Sequence, residues 1–329
     1  MYEDSAVDYS KQYLTFIAKE NGTFTFTPSN NNVISYSTDD GNTWTVGNEV
    51  QVNSGDKVMW KGEMTPAMFE GIGSFNTSTN SFDVQGNIMS LLYGDNFKNQ
   101  ISLSEKDYAF FHLFNGTKVV SAENLSLPAT TLAEGCYWNM FCDCTGLTVI
   151  PELPAITLAS SCYANMFQNC TSLTTAPELP ATILTDYCYT SMFDGCTSLT
   201  IAPKLLATTL ASNCYSNMFA NCTSLTSAPE LPATTLTDYC YDTMFRNCTS
   251  LVVAPKLPAT TLTEGCYQQM FKGCTNLSSI TCLATNISAN YCTSDWVNGV
   301  AANGTFTKAA SMDSWTTGGN GIPTGWAVQ

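Results

Sequence analysis

The side chains of this 329-residue chain with the greatest chemical potential are its fifteen cysteines. Twelve fall in register, two per 26 residues and eight apart: Cys136 and Cys144, Cys162 and Cys170, Cys188 and Cys196, Cys214 and Cys222, Cys240 and Cys248, Cys266 and Cys274. Cys142, Cys282 and Cys292 stand outside the pattern. Thiols in such an array suggest disulfides, metal ligation or nucleophilic attack, and the spacing argues against each. An odd total leaves one thiol unpaired in any all-disulfide scheme. The ends of a short helix over 162–169 would lie about 10 Å apart, beyond the roughly 7 Å Cα limit for a bridge. A ladder of equivalent cysteines gives none of them a unique partner. No Cys-x-x-Cys occurs, and His112 is the only histidine, so zinc sites and Ser/His or Cys/His triads lack their residues beyond His112 itself. The expectation is small, buried, reduced thiols, with no catalytic residue, no metal and no cofactor. Paired carboxylates of the kind that hydrolyse glycosides stay open, since any two acids can converge in a fold.

The elements that carry these cysteines repeat. From Leu127 a 26-residue unit returns at Leu153, Leu179, Leu205, Leu231 and Leu257, and a fixed period of this size marks a solenoid of stacked coils. Within the unit from Leu179 to Lys204, Leu179-Pro180-Ala181 is expected to be an extended corner. Thr185 or Asp186 is expected to cap a helix over 187–193, because Cys188, Met192 and Cys196 share i, i+4, i+8 spacing. Gly195 suits a left-handed helix end. Thr197 to Ala202 reads as a short strand stopped by Pro203. After that proline runs a charged row, Glu152, Glu178, Lys204, Glu230 and Lys256, read as register maintenance.

The frame of the repeat is nearly invariant from copy to copy, whereas the positions flanking the helix vary. Those variable positions are where recognition would be written. The candidate binding ridge is Trp138, Asp186, Tyr187, Asp238, Tyr239, Asp242 and Arg246, with the three aromatics as anchors among small polar residues.

The unit Cys-Tyr-x-x-Met-Phe-x-x-Cys-Thr-Ser-Leu-Thr-x-Ala-Pro, at 162–177 and 214–229, resembles the BspA-type leucine-rich repeat of bacterial surface proteins. The resemblance covers about residues 105–285. It implies a leucine-rich-repeat solenoid of strand-plus-short-helix coils with the Phe-x-x-Cys-Thr-x-Leu segment facing inward. It also implies attachment to host proteins or other cells, and similar cassettes look like parts of gut bacteriophage virion proteins. Ala-Pro replaces the two aliphatic strand residues of many members, which shortens the expected sheet face.

Upstream, alternating segments such as Thr23-Phe-Thr-Phe-Thr and Lys57-Val-Met-Trp-Lys, with Asp39-Asp40-Gly41-Asn42 as a hairpin turn, suggest an antiparallel β-sandwich. The expected fold class is α+β. Residues 1–9 form a linker or disordered segment, 10–90 the sandwich, 91–126 capping coils, 127–281 the six-repeat solenoid and 282–329 a C-terminal cap.

The net charge of -15 is spread evenly: 15 acids against 7 bases up to residue 126, and 12 against 5 beyond. There is no basic stripe for nucleic acid and no apolar run of about 18 residues that would enter a membrane. Charged residues make up only 12%, and the hydroxyl-rich surface that replaces them is common on extracellular proteins. Met1-Tyr-Glu-Asp-Ser-Ala-Val-Asp lacks the features of a secretory signal. The reading is a non-enzymatic adhesion or recognition module that binds a host or cell-surface protein or glycan, placed extracellularly, on a cell surface or on a virion exterior. The alternative is a structural virion or fibre component of a bacteriophage, with the solenoid as spacer or host-binding element and other virion proteins as partners.

Overall fold

The computed structural model describes residues 7–313 and 315–329. The part of the expected linker before Val7 lies outside the described residues. Strands β1 (Leu14–Ala18), β2 (Gly22–Thr25), β3 (Thr27–Pro28), β4 (Ile34–Ser37), β5 (Thr45–Val46), β6 (Glu49–Val52), β7 (Lys57–Gly62), β8 (Gly73–Ser74) and β9 (Phe82–Asn87) precede the only described α-helix, α1 (Ser90–Tyr93). After them come β10 (Val119–Ser126), β11 (Ser279–Cys282), β12 (Thr305–Lys308) and β13 (Ala327–Val328).

The largest sheet has the order β10-β9-β1-β7-β4-β5, with β2-β6 and β3-β8 as separate two-stranded pairs. Alternation explains the burial: Val50 and Val52 of β6, and Val58 and Trp60 of β7, point inward between exposed or half-buried neighbours. Between β4 and β5, Asp40 and Gly41 take left-handed backbone (φ 56° and 86°). There the Asp39 carboxylate accepts hydrogen bonds from Thr43 N, Thr43 Oγ1 and Ser37 Oγ, which hold its pKa down to about 2. The expected antiparallel sandwich is not what forms. The sheet is mixed, because β10 joins β9 in parallel, and Ser121 of β10 bridges in parallel to Val149 of the first repeat. One core cluster therefore runs from Leu14 to Trp326.

The α+β solenoid of leucine-rich-repeat coils is likewise corrected, because no repeat contains a helix. Where a helix was expected, hydrogen bonds alternate between two destinations. Tyr163 N donates to Cys188 O of the next unit at 3.1 Å, and Ala164 N to Ser161 O three residues back at 3.1 Å. Asn165 N then reaches Thr190 O at 2.8 Å, Met166 N reaches Tyr163 O at 3.2 Å, and Phe167 N reaches Met192 O at 3.0 Å. Each segment is a run of four-residue turns. Ser161, Asn165 and Asn169 carry the left-handed conformation (φ 54°, 55° and 58°), as do Tyr187, Ser191 and Gly195 one unit on. Left-handed backbone costs about 1–2 kcal/mol per ordinary residue, and Asn and Gly lower that cost. In return, alternate N–H groups bond to the neighbouring unit, each contributing roughly 0.5–1.5 kcal/mol.

The expected strand shrinks in the same way. In the unit from Leu179, only Ile201 pairs there, in parallel with Thr175 and Ser227, since Pro203 has no N–H to extend the ladder. None of the ion pairs among the described residues joins the row Glu152, Glu178, Lys204, Glu230 and Lys256.

Two aromatic columns fill the interior. Tyr137, Tyr163, Tyr189, Tyr215, Tyr241 and Tyr267 stack with centroids 5.6–6.2 Å apart, and Phe141, Phe167, Phe193, Phe219, Phe245 and Phe271 at 5.7–5.8 Å. Phe114 links the second column to Phe75 and Phe16 of the N-terminal core. Trp296 and Trp315 close the other end, stacked at 5.7 Å.

The hydroxyls of Tyr137, Tyr189 and Tyr241 are buried without a partner among the described residues. Removing an unpartnered buried hydroxyl relieves its desolvation, so Tyr189→Phe is expected to raise stability by about 1 kcal/mol. A urea midpoint below that of the parent would contradict this.

All fifteen cysteines are free and buried. In one row the thiols of Cys144, Cys170, Cys196, Cys222, Cys248 and Cys274 donate to the carbonyls of Phe114, Phe141, Phe167, Phe193, Phe219 and Phe245 at 3.0–3.2 Å. Burial pushes the Cys144 and Cys274 thiols up to about 12, so they are donors and not nucleophiles. Native protein should therefore react slowly with a thiol reagent at pH 8, and all fifteen should titrate in denaturant; a rapid native reaction of six or more would refute the ladder.

Candidate functional site

The turns present three outward rows. The first runs Asp107-Tyr108, Glu134-Gly135, Ser160-Ser161, Asp186-Tyr187, Ser212-Asn213, Asp238-Tyr239, Glu264-Gly265 and Asn290-Tyr291. Its geometry follows a pairing rule between neighbours. Tyr108 Oη donates to Glu134 Oε1 at 2.8 Å, and Tyr239 Oη to Glu264 Oε1 at 2.9 Å. Each ring lies across the glycine that follows that glutamate. A Cβ on Gly135 would sit 2.7 Å from the Tyr108 ring, and one on Gly265 2.3 Å from the Tyr239 ring. Tyr187 faces Ser212-Asn213, where no glycine makes room, and it stands 46% exposed.

The structure places the predicted ridge residues on this turn surface but divides them. Asp186, Tyr187, Asp238 and Tyr239 share the first row. Trp138 and Asp242 occupy the second, which lies four residues further along each turn run (138, 164, 190, 216, 242), and Arg246 lies in the third, four residues beyond that. Asp186 Oδ1 accepts from Ser212 N at 2.9 Å. Asp242 accepts from Thr243 Oγ1 at 3.0 Å and Ser216 Oγ at 3.3 Å, and burial raises its pKa. Arg246 is half-buried, with Nε unpartnered. Only Trp138 joins a larger cluster.

That cluster, missed from the sequence, forms where the N-terminal sheet meets the first turn runs. Residues 67–71 make a tight loop in which Ala67 N and Gly71 O, and Gly71 N and Ala67 O, exchange hydrogen bonds at 2.8 and 2.9 Å. At its tip Met68 is 71% exposed and Phe69 53%. Phe69 holds φ 59°, a left-handed backbone that is an outlier for a bulky residue. Its ring lies 4.6 Å from Tyr108 and 6.4 Å from Trp138, and Phe111 lies 5.4 Å from Trp138. His112 is half-buried against Phe111, its Nε2 2.9 Å from Asn139 Nδ2, and burial lowers its pKa.

Beside these rings a niche of about 300 Å³ is lined by Thr65, Pro66, Met68, Glu105, Lys106, Asp107, Tyr108 and Glu134. Tyr108 is raised to about 12, chiefly by burial and then by its bond to Glu134, so it remains a neutral donor. A groove of about 420 Å³ lies on the proline-rich edge, lined by Val149, Pro151, Pro154, Pro177 and Pro180 among others.

The sequence signal for the cluster was Met68-Phe69 between Pro66 and Gly71, an apolar pair in a stretch with turn-forming ends. Among the described residues, no three His, Cys, Asp or Glu side chains are grouped to hold a metal ion, and no helix is long and apolar enough to cross a membrane. No family model, curated protein or solved structure matches the chain. The likeness to BspA-type repeats therefore rests on the residue identities and spacing of the repeat alone.

Proposed function

We propose that this chain is a non-enzymatic recognition module that binds a partner on a cell surface through the turn face, with the Phe69 cluster as its anchor. The observation that carries this reading is the exposed Met68-Phe69 tip, two large apolar side chains turned to solvent on a loop closed by the Ala67–Gly71 hydrogen bonds. Strained backbone with two large apolar side chains turned to solvent contributes little to folding. It does supply rigid aromatic area for binding, the property of anchor residues at interfaces. The hydroxyl-rich, weakly charged surface supports placement outside the cell or on a virion exterior. The long regular stack supports a spacer that carries the cluster away from an attachment point, as a fibre component would.

The test is a cell-surface protein and glycan array probed with the whole chain. Phe69→Gly combined with Trp138→Ala is expected to weaken binding at least about tenfold, with Ile201→Thr, on a different row, as the control. Binding that survives the double change would remove the cluster as the anchor.

A further inference from the structure

Resting on that reading, we infer that the partner is a protein segment that places an arginine or lysine in the niche beside Met68 and Tyr108 and an apolar side chain on the Phe69–Trp138 shelf. Charge and shape select this occupant together. Glu105, Asp107 and Glu134 line the niche against the single base Lys106, whose Nζ is turned toward the Tyr93 ring at 5.8 Å.

Asp107 and Glu134 are each held by one oxygen. Asp107 Oδ1 accepts from Glu134 N at 3.2 Å, and Glu134 Oε1 accepts from Tyr108. Among the described residues, their second oxygens have no hydrogen-bond or ion-pair partner, and Glu105 has none at either oxygen. Carboxylates fixed on one side and free on the other suit a guanidinium or ammonium, since a cation recovers there the hydrogen bonds it loses from water. Met68 and Pro66 would cover its aliphatic stem. Beyond the niche, the exposed Phe69 ring and the half-buried Phe111 and Trp138 offer apolar area next to the charge.

The same charge disfavours other occupants. A second copy of this chain would bring a net charge of -15 to an acidic rim, and nucleic acid or an anionic lipid surface would be repelled likewise.

The experiment uses the whole chain and short Gly/Ser peptides that carry one phenylalanine and several arginines, several glutamates or no charge, with a neutral oligosaccharide set alongside. Binding is read by isothermal titration or by NMR shifts. The arginine peptide is expected to bind at least about tenfold more tightly than the uncharged one, and the difference should shrink at high salt. Glu105→Gln, Asp107→Asn and Glu134→Gln together keep the hydrogen-bond acceptors and remove the charge, and they should abolish the arginine preference. Phe69→Gly removes the ring and suits the left-handed backbone, so it should weaken all peptide binding while leaving the unfolding midpoint near that of the parent.

Equal binding of charged and uncharged peptides, an unaltered preference in the triple variant, or no binding of the arginine peptide would each overturn the basic partner. An oligosaccharide that needs Phe69 and ignores the three charges would overturn it too, yet leave the cluster as a recognition site. Partner binding on the surface array that is indifferent to Phe69 would sink both.

Discussion

Replacing Phe193 by alanine is expected to remove about 3–5 kcal/mol of stability, as for other fully buried phenylalanines. Phe193 is wholly buried, and its ring stacks between Phe167 at 5.7 Å and Phe219 at 5.8 Å. Two ring contacts are lost at once, each contributing roughly 0.5–1.5 kcal/mol beyond its buried area. The backbone around it resists collapse into the cavity. Phe193 N donates to Met218 O, and Phe193 O accepts the Cys222 thiol at 3.1 Å, so the following unit keeps its place.

In a stack where each unit touches only its neighbours, a central defect weakens two interfaces and uncouples the halves. The urea transition should therefore move to a lower midpoint and broaden. A loss below about 1 kcal/mol, the size of an ordinary surface change, would mean that the column does not hold the units together.

That column also shows how much of the fold was legible. The 26-residue period, the inward Cys and Met and the reduced thiols could be read from spacing, and the inward Phe was implied by the family resemblance, whereas the tyrosine column was not foreseen. The helix could not, because Cys188, Met192 and Cys196 at i, i+4 and i+8 fit a period of 3.6 and a period of 4 equally well. What separates the two is the residue at the end of each tetrad. Asn165 and Asn169, Asn217 and Asn221, and Gly195 and Gly273 all hold positive φ. Asn and Gly recurring every fourth residue are poor helix formers and good left-handed ones.

Trp138 was found because the copies disagree there, and comparison among copies reveals variation. Met68 and Phe69 lie outside the repeats, where no such comparison exists. Their exposure depends on a backbone turn that hydropathy does not encode. The contrast between Tyr187 and Tyr239 was hidden for another reason: whether each ring lies flat is decided one unit later, by Asn213 or Gly265.

The strongest test of that unread junction is Gly71→Val, expected to cost about 2–4 kcal/mol. Gly71 has φ 61°, and a Cβ there would lie 2.9 Å from Tyr108 O, 3.0 Å from Phe111 O and 3.1 Å from Phe111 N. All three are backbone atoms, so no side chain can swing aside, and a β-branched residue is least tolerant of left-handed backbone. Relief requires the 67–71 loop to lift from Tyr108 to Phe111. That movement would break the Ile72 N to Ala109 O hydrogen bond, at 3.3 Å, and carry Phe69 off Tyr108.

Gly71→Val should consequently lower stability and partner binding together. Phe69→Gly should lower binding alone, because it exchanges a roughly 0.5–1.5 kcal/mol ring contact for about 1–2 kcal/mol of relieved strain. Measured side by side, the two variants separate what the loop does for the fold from what its tip does for a partner. If Phe69→Gly destabilises the protein as much as Gly71→Val, the ring is a packing element and its strained backbone serves the junction rather than recognition.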